Sequence, residues 1–173
     1  MLPGMERKWV IVQDTREKQP LLFPKNLVML DDTSTPAKRK RVTVAIHVVK
    51  RKMDTADYCI EGKEHVCLVE RKGSAREITK NLLTARDRAR FERELVRLRE
   101  ETANPVLLME GWPSQLLEDT EASLAVDSLI RTLSVYGTEL LLVPASNIRQ
   151  RRAAGEWVAR LLINRAIHGN IPK

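Results

Sequence analysis

Two carboxylates and one amine stand close together in the sequence, at Asp57, Glu70 and Lys72. Glu70 and Lys72 end an apolar run (residues 65–69), and in a β-strand side chains two residues apart point to the same face. A turn around Gly62 would bring the segment that carries Asp57 back beside them. Carboxylates bind hard divalent cations such as Mg²⁺ or Mn²⁺, and an ammonium group offsets negative charge that develops in a reaction. This combination is what metal-dependent hydrolysis of phosphodiesters requires.

A second charged group follows the first apolar run of the chain. Asp14 comes directly after residues 9–13, and Arg16 and Glu17 follow it. Acidic side chains at the ends of different buried strands meet at one edge of a sheet, which is typical of a catalytic site. Arg71 would point to the opposite face of its strand, where it would hold a carboxylate or a phosphate. A Glu-x-Lys pair is more often a solvated surface pair, but the apolar run before this one favours a site.

The periodicity predicts alternating strands and helices. Strands are predicted at residues 9–13, 42–49, 56–60, 65–70, 105–110 and 139–143, with a strand or turn at 27–30 and loops at 15–26 and 31–40. Helices are predicted at residues 86–101, 123–136 and 150–167, and after Gly73, where Ser74 and Glu77 form a capping-box pattern. Early strands followed by alternating helices and strands predict an α/β fold with a central mixed β-sheet flanked by helices.

The composition is that of one basic domain. The chain has 173 residues and a formal net charge of +7, a length that suits a single domain and a charge that favours a polyanion such as DNA. Two basic clusters with few acidic neighbours flank the strand at 42–49 and are predicted to contact DNA phosphates. These clusters comprise Lys38, Arg39, Lys40, Arg41, Lys50, Arg51 and Lys52. The arginines of the helix at 86–101 alternate with acidic residues, which favours a solvated face.

Several features argue against other classes of protein. Cys59 and Cys67 form no CxxC motif and are predicted to be core residues of a reduced, intracellular protein. No apolar run reaches the ~20 residues of a membrane span, and the first residues lack a signal-peptide pattern. Trp112 and Trp157 are predicted to be packing anchors. Aromatic residues are too sparse among the basic ones to predict stacking of single-stranded bases.

Three short segments resemble the XPF-type nuclease family, the structure-specific endonucleases of repair and recombination. The family's D-x-R-E segment stands at residues 14–17. Its G-D-Y/F segment corresponds to residues 56–58, with Ala56 in place of the glycine, and its E-R-K-x3-D signature to residues 70–76, with Arg76 in place of the final Asp. An Arg-Phe pair at residues 90–91 and the following apolar strand also fit. The resemblance covers about residues 8–145, in the order of the family's motifs.

The resemblance implies one nuclease domain over residues 1–173, with a restriction-endonuclease-like PD-(D/E)XK core and a C-terminal helix at about 150–168. No helix-hairpin-helix domain is expected, because its glycine-containing turns are missing. Branched, flapped or forked DNA is the implied substrate, and Mg²⁺ or Mn²⁺ the implied cofactor. The implied roles are metal ligand for Asp14, Asp57 and Glu70, catalytic lysine for Lys72, and supporting site residue for Arg16, Glu17 and Arg71. Relatives often carry Gln where Glu94 stands.

The family likeness leaves partners and alternatives open. Nuclease domains of this family tend to dimerise, and the helices at 123–136 and 150–167 are the natural surfaces; a separate DNA-targeting subunit is the other possible partner. A junction resolvase or restriction-like endonuclease would use the same core. A non-catalytic DNA-binding subunit is the alternative from another class, since the family contains degenerate partners. Such partners typically lose the metal carboxylates, which this chain retains.

Overall fold

The computed structural model describes residues 8–31, 40–117 and 120–169 and contains a seven-stranded sheet with helices on both faces. The strands are β1 (Lys8–Asp14), β2 (Asn26–Asp31), β3 (Lys40–Arg51), β4 (Tyr58–Ile60), β5 (Cys67–Lys72), β6 (Asn104–Glu110) and β7 (Glu139–Val143). The helices are α1 (Ala75–Leu83), α2 (Ala85–Glu101), α3 (Pro113–Leu116), α4 (Thr120–Tyr136) and α5 (Ile148–His168).

The sheet is mixed, as predicted, in the order β2-β3-β1-β4-β5-β6-β7. β1 is antiparallel to β4 and β4 is antiparallel to β5, so β1 and β5 run in the same direction. β6 and β7 continue this direction, because β5–β6 and β6–β7 are parallel pairs. The carboxyl ends of β1, β5 and β6 therefore meet at one side of the sheet, where Asp14, Lys72 and Glu110 end their strands. We call this side the site edge.

Alternation along the strands builds a core on each face of the sheet. One face packs against α5, with Ile11, Val69 and Leu108 among the buried residues opposite Val158. The other face packs against the remaining helices, and residues such as Leu107 lie in that core. Consecutive residues of β5 consequently point to different layers, which separates the side chain of Arg71 from those of its two neighbours.

The strands near the site edge differ in extent from the prediction. β5 runs from Cys67 to Lys72 instead of over residues 65–70, so the lysine belongs to the strand. β4 begins at Tyr58, not at residue 56, because Ala56 has a left-handed backbone with φ 69° that cannot continue a strand. β3 is longer than predicted and already begins at Lys40.

The helices follow the prediction closely. Ser74 caps α1 as predicted, because its hydroxyl accepts from the Glu77 amide at 3.2 Å, but the capping box is incomplete: the Glu77 carboxylate accepts from the Gly73 amide at 2.9 Å and not from the Ser74 amide. The short helix α3 was not predicted. No helix within the described ranges combines the length and apolar character of a membrane span.

The cysteines and two of the tryptophans test the core predictions. Cys59 and Cys67 are buried, as predicted. The prediction that Trp112 and Trp157 are packing anchors is wrong, because their side chains are 55% and 60% exposed. Trp112 stands just beyond the end of β6, and Trp157 lies on the outer side of α5. Neither position lies in a core layer.

Candidate active site

Backbone hydrogen bonds hold Asp57 between β1 and β5. The Asp14 amide donates to the Asp57 carbonyl at 2.9 Å, and the Asp57 amide donates to the Val69 carbonyl at 3.0 Å. The left-handed backbone of Ala56 turns the chain just before this point. Asp57 Oδ2 then accepts a hydrogen bond of 2.8 Å from the Arg71 amide. The carboxylate of Asp57 therefore lies beside the end of β5, as the predicted strand pairing requires.

A small polar cavity of about 170 Å³ lies at this point of the site edge, and we call it the acidic cavity. Asp57, Glu70 and Glu94 line it together with Arg16, Asp54, Thr55, Ala56 and Arg97. Lys72 Nζ donates to Glu70 Oε1 at 2.8 Å and to Glu94 Oε1 at 2.7 Å. The structure thus brings together the three residues with which the sequence argument began, and adds a third carboxylate from α2.

Burial determines the protonation of these groups. It raises the pKa of Asp57 to about 6, against the hydrogen bond from the Arg71 amide. It also raises the pKa of Glu70 well above its usual range, against the attraction of Lys72. Burial alone would favour a neutral Lys72 amine, but Glu70 and Glu94 outweigh it and raise the pKa of Lys72. The lysine is therefore a permanent cation among carboxylates whose negative charge is poorly compensated.

Asp14 is engaged in holding Arg16. Its Oδ2 accepts from Arg16 Nη2 at 2.6 Å and from the Met53 amide at 3.1 Å, and its Oδ1 accepts from the Arg16 amide at 2.6 Å. Burial opposes ionisation of this carboxyl, but the Arg16 side chain and these amides lower the pKa of Asp14. The side chain of Arg16 is 61% exposed at the mouth of the acidic cavity. That Asp14 is a metal ligand stays a prediction, since both its oxygens already have partners.

Arg71 points away from the acidic cavity, as predicted, and forms the centre of a network of ion pairs. Its Nη1 lies 2.9 Å from Glu17 Oε2 and its Nε lies 2.6 Å from Glu110 Oε1. Glu110 Oε2 is also 3.3 Å from Nη1 of Arg151, on α5. We call Glu17, Arg71, Glu110 and Arg151 the buried ion-pair network. It joins the loop after β1, two strands and α5 at the site edge.

The predicted DNA-binding residues lie at two distant places. Lys38 and Arg39 lie outside the described residues. Arg41 is exposed near the start of β3, about 33 Å along an extended strand from Arg51. The register places Arg51 beside Asp14, so Lys50, Arg51 and Lys52 are near the site edge while Arg41 is not. Arg51 already pairs with Glu64 at 2.9 Å.

Sequence reasoning did not assign a role to Glu94 or to Glu110. Glu94 carries a signal that could have been used: it follows Phe91 by three residues and precedes Leu98 by four, so it lies on the buried stripe of α2. A carboxylate on such a stripe needs a buried cation, which Lys72 provides. Glu110 is the last residue of an apolar strand, the same position that drew attention to Asp14.

The mixed seven-stranded sheet has helices on both faces and a carboxylate–lysine arrangement at the end of β5. Two solved structures share this fold. XPF from Aeropyrum pernix has a TM-score of 0.57 and 14% sequence identity, over 94% of this chain and 62% of that chain. XPF from Aeropyrum pernix in complex with DNA has a TM-score of 0.59 and 15% identity, over 95% of this chain and 68% of that chain.

The protein thus has an XPF-type fold, which the short sequence motifs predicted. The chain spans less than two thirds of the length of the first of these XPF chains. No family model and no curated protein sequence matches it.

Proposed function

We propose that this protein is a Mg²⁺- or Mn²⁺-dependent endonuclease that hydrolyses phosphodiester bonds of DNA at the acidic cavity. The observation that carries the proposal is the buried pair of Asp57 and Glu70 beside the protonated Lys72. The similarity to an XPF structure that contains DNA supports DNA as the polymer. The net charge of +7 agrees with a polyanionic substrate.

The residues of the acidic cavity fit an open site for a divalent cation. Asp57 Oδ2 accepts from the Arg71 amide, but no residue within the described ranges 8–31, 40–117 and 120–169 donates a hydrogen bond to Oδ1. Glu70 and Glu94 both accept from Lys72 Nζ, at 2.8 Å and 2.7 Å, so two carboxylates converge on one ammonium group. Within those ranges no group of three or more His, Cys, Asp or Glu side chains is arranged to hold a metal ion by itself. Mg²⁺ in nucleotide-processing sites is commonly held by one or two carboxylates, completed by water and substrate phosphate.

The chain's own residues have separate tasks in this proposal. A cation bound by Asp57 and Glu70 supplies Lewis-acid stabilisation of the phosphate charge and lowers the pKa of water. Lys72 gives two of its three N–H groups to Glu70 and Glu94, which leaves one to donate to a phosphate oxygen or to orient the attacking water. Because Lys72 stays protonated, it acts as a cation and not as a general base. Arg16, held by Asp14, places a second positive charge at the mouth of the cavity.

Cleavage of branched, flapped or forked DNA in repair or recombination is part of the same proposal and rests on the resemblance to the XPF family. Lys50 and Lys52, near the site edge, would bind the phosphates that lead into the acidic cavity. An intracellular location follows from such a substrate. A junction resolvase or restriction-like endonuclease would use the same residues. A non-catalytic DNA-binding subunit is less well supported, because it has no need for buried carboxylates around a lysine.

A homodimer through α4 is a further part of the proposal. Leu124 and Val135 are 68% and 71% exposed, and their spacing of eleven residues places both on one face of the helix. Exposed apolar side chains on one helix face are typical of an interface. A separate DNA-targeting subunit would use the same kind of surface. Light scattering of the wild type and of Leu124→Glu would distinguish a dimer from a monomer.

The decisive experiment measures cleavage of labelled DNA substrates in the presence of Mg²⁺, Mn²⁺ or EDTA. The substrates are a duplex, a single strand, a flap, a fork and a four-way junction. The wild type is compared with Asp57→Asn and Lys72→Met, which change the charge without adding bulk. Asp127→Asn, an exposed position on α4, is the matched control for loss of one carboxylate. We expect cation-dependent cutting that the first two variants reduce at least about a hundredfold and the control does not.

Two results would contradict the proposal. Undiminished cutting by Asp57→Asn would place the reaction elsewhere. Absence of cutting by the wild type, with DNA binding intact and no rise of Tm with Mn²⁺, would favour a non-catalytic DNA-binding subunit.

A further inference from the structure

A second and larger cavity lies at the site edge, next to the acidic cavity but separate from it. Its volume is about 550 Å³, within the range of about 300–1,000 Å³ typical of small-molecule sites. Gly73 and Ser74 line it directly after Lys72, and Glu110, Trp112 and Arg151 line its other sides. We call it the tryptophan cavity. Cavities beyond the carboxyl ends of parallel strands are the usual ligand sites of α/β sheets.

Trp112 is held at this cavity by its backbone while its ring stays in solvent. Its amide donates to Gln115 Oε1 at 2.8 Å, and its side chain is 55% exposed. Gly111 permits the arrangement: its φ is 151°, and a Cβ there would lie 2.7 Å from the same Gln115 oxygen. An exposed indole on a fixed backbone is suited to stack with a flat ring.

The charged side chains that line the tryptophan cavity are Arg76, Glu110 and Arg151, which together carry one net positive charge. Glu110 is neutralised by Arg71 and Arg151 within the buried ion-pair network. The carboxylate of Glu77 accepts from the Gly73 amide. Arg76 is exposed at the rim and forms no salt bridge with another described residue. A guanidinium of this kind is suited to bind a phosphate.

Side-chain amides complete the lining. Gln19 and Gln150 both face the tryptophan cavity. The Gln150 oxygen accepts from the Ser146 amide and hydroxyl at 3.0 Å and 2.6 Å, so its NH₂ group is directed elsewhere. An aromatic face, an amide donor and an unpaired arginine are together the groups that bind a base and its phosphate.

We propose that the tryptophan cavity binds one unpaired nucleotide of the DNA substrate, with the base on Trp112 and a phosphate at Arg76. This rests on the proposed function and deepens it, because it states which DNA feature is recognised. The cavity begins at the residue after Lys72, and Glu110 in its wall is bound to Arg71, the neighbour of Lys72 on β5. An unpaired nucleotide bound there would lie next to the scissile phosphate, so that a duplex interrupted at that position is the preferred substrate.

The test measures binding without cleavage. The full chain is titrated in EDTA with a fluorescein-labelled twelve-nucleotide oligothymidine, followed by anisotropy, and separately with free dAMP. Trp112→Ala is compared with Trp157→Ala, the same change at a similarly exposed tryptophan on α5. Arg76→Ala is compared with Arg93→Ala, an exposed arginine on α2. We expect Trp112→Ala and Arg76→Ala each to weaken oligonucleotide binding about tenfold, and the controls less than about twofold.

The outcomes separate this proposal from the proposed nuclease function. Equal binding by Trp112→Ala and Trp157→Ala would overturn the stacking site even if the wild type cuts DNA. Free dAMP that binds as tightly as the oligonucleotide, with unchanged oligonucleotide binding in Trp112→Ala, would assign the cavity to free nucleotides and also overturn it. Loss of oligonucleotide binding in Trp112→Ala would support the site even if the wild type cuts nothing. Circular dichroism of each variant establishes that it is folded.

Discussion

Arg71 Nε lies 2.6 Å from Glu110 Oε1, and the two side chains are only 6% and 8% exposed. This contact joins the strand of the candidate catalytic residues to the next strand of the sheet. Arg151 extends the contact to α5. The buried ion-pair network therefore connects the side of the sheet opposite the acidic cavity to the residues that line the tryptophan cavity.

Removal of the central arginine should destabilise the protein strongly. Arg71→Met would leave Glu17 without its 2.9 Å ion-pair partner in a buried position, and removal of one member of a buried pair typically costs about 3–5 kcal/mol. Urea unfolding should show a loss of about 3 kcal/mol, against less than about 0.5 kcal/mol for the exposed Arg93→Met. Similar losses in both variants would mean that the network does not stabilise the fold.

Glu94→Gln should destabilise the protein in the absence of metal and weaken its response to metal. The change keeps an oxygen for the 2.7 Å hydrogen bond from Lys72, but it removes a charge that the fold favours: burial opposes ionisation of Glu94, yet the hydrogen bond with Glu70 and the attraction of Lys72 lower its pKa. We expect a loss of about 1 kcal/mol at pH 8, the scale of one pKa unit, and a smaller rise of Tm with Mn²⁺. Glu92→Gln, with the same change of charge two residues earlier, is the control. A larger rise of Tm with Mn²⁺ in Glu94→Gln would exclude Glu94 from the cation site.

Ala56→Gly tests the strain of the backbone before Asp57. At φ 69° a left-handed L-residue costs about 1–2 kcal/mol, which glycine relieves, while the loss of a buried methyl group costs about 0.8 kcal/mol. The variant should be neutral or up to about 1 kcal/mol more stable. Ala154→Gly in α5 also loses a buried methyl group but relieves no backbone strain, so it should lower the stability by more than about 1 kcal/mol. If thermal unfolding shows the same loss of stability for Ala56→Gly and Ala154→Gly, the backbone at Ala56 is not strained.

Gly155→Ala should destabilise the protein although alanine favours helices. A Cβ at Gly155 would lie 2.3 Å from the Leu22 carbonyl oxygen, and a backbone atom cannot give way cheaply. We expect a loss of about 1–3 kcal/mol, typical of overpacking. Asn164→Ala, at an exposed position of the same helix, gains helix propensity without a clash and should be neutral or stabilising. Calorimetry that shows a higher Tm for Gly155→Ala would mean that α5 does not pack on the loop in this way.

The cysteines should be inert in the folded protein. Burial raises the pKa of Cys59 and of Cys67 to about 12 in each case, so neither thiol ionises near neutral pH and neither is accessible. A disulfide exchange reagent at pH 8 should modify no thiol in buffer and both after unfolding in urea. Rapid modification of the native protein would show that the sheet opens locally around β4 and β5.

The sequence by itself determined the elements and the local part of the site. Period-two and helical patterns depend on neighbouring residues, so they located the strands, the cap at Ser74 and the facing pair Glu70 and Lys72, with end points shifted by a few residues. Only the tertiary structure decided which distant residues meet. It placed Glu94 against Lys72, gave both oxygens of Asp14 to Arg16 and the Met53 amide, and left Trp112 in solvent at a cavity. The physical reason is that burial and pairing depend on how elements pack, and packing joins residues that no local pattern relates.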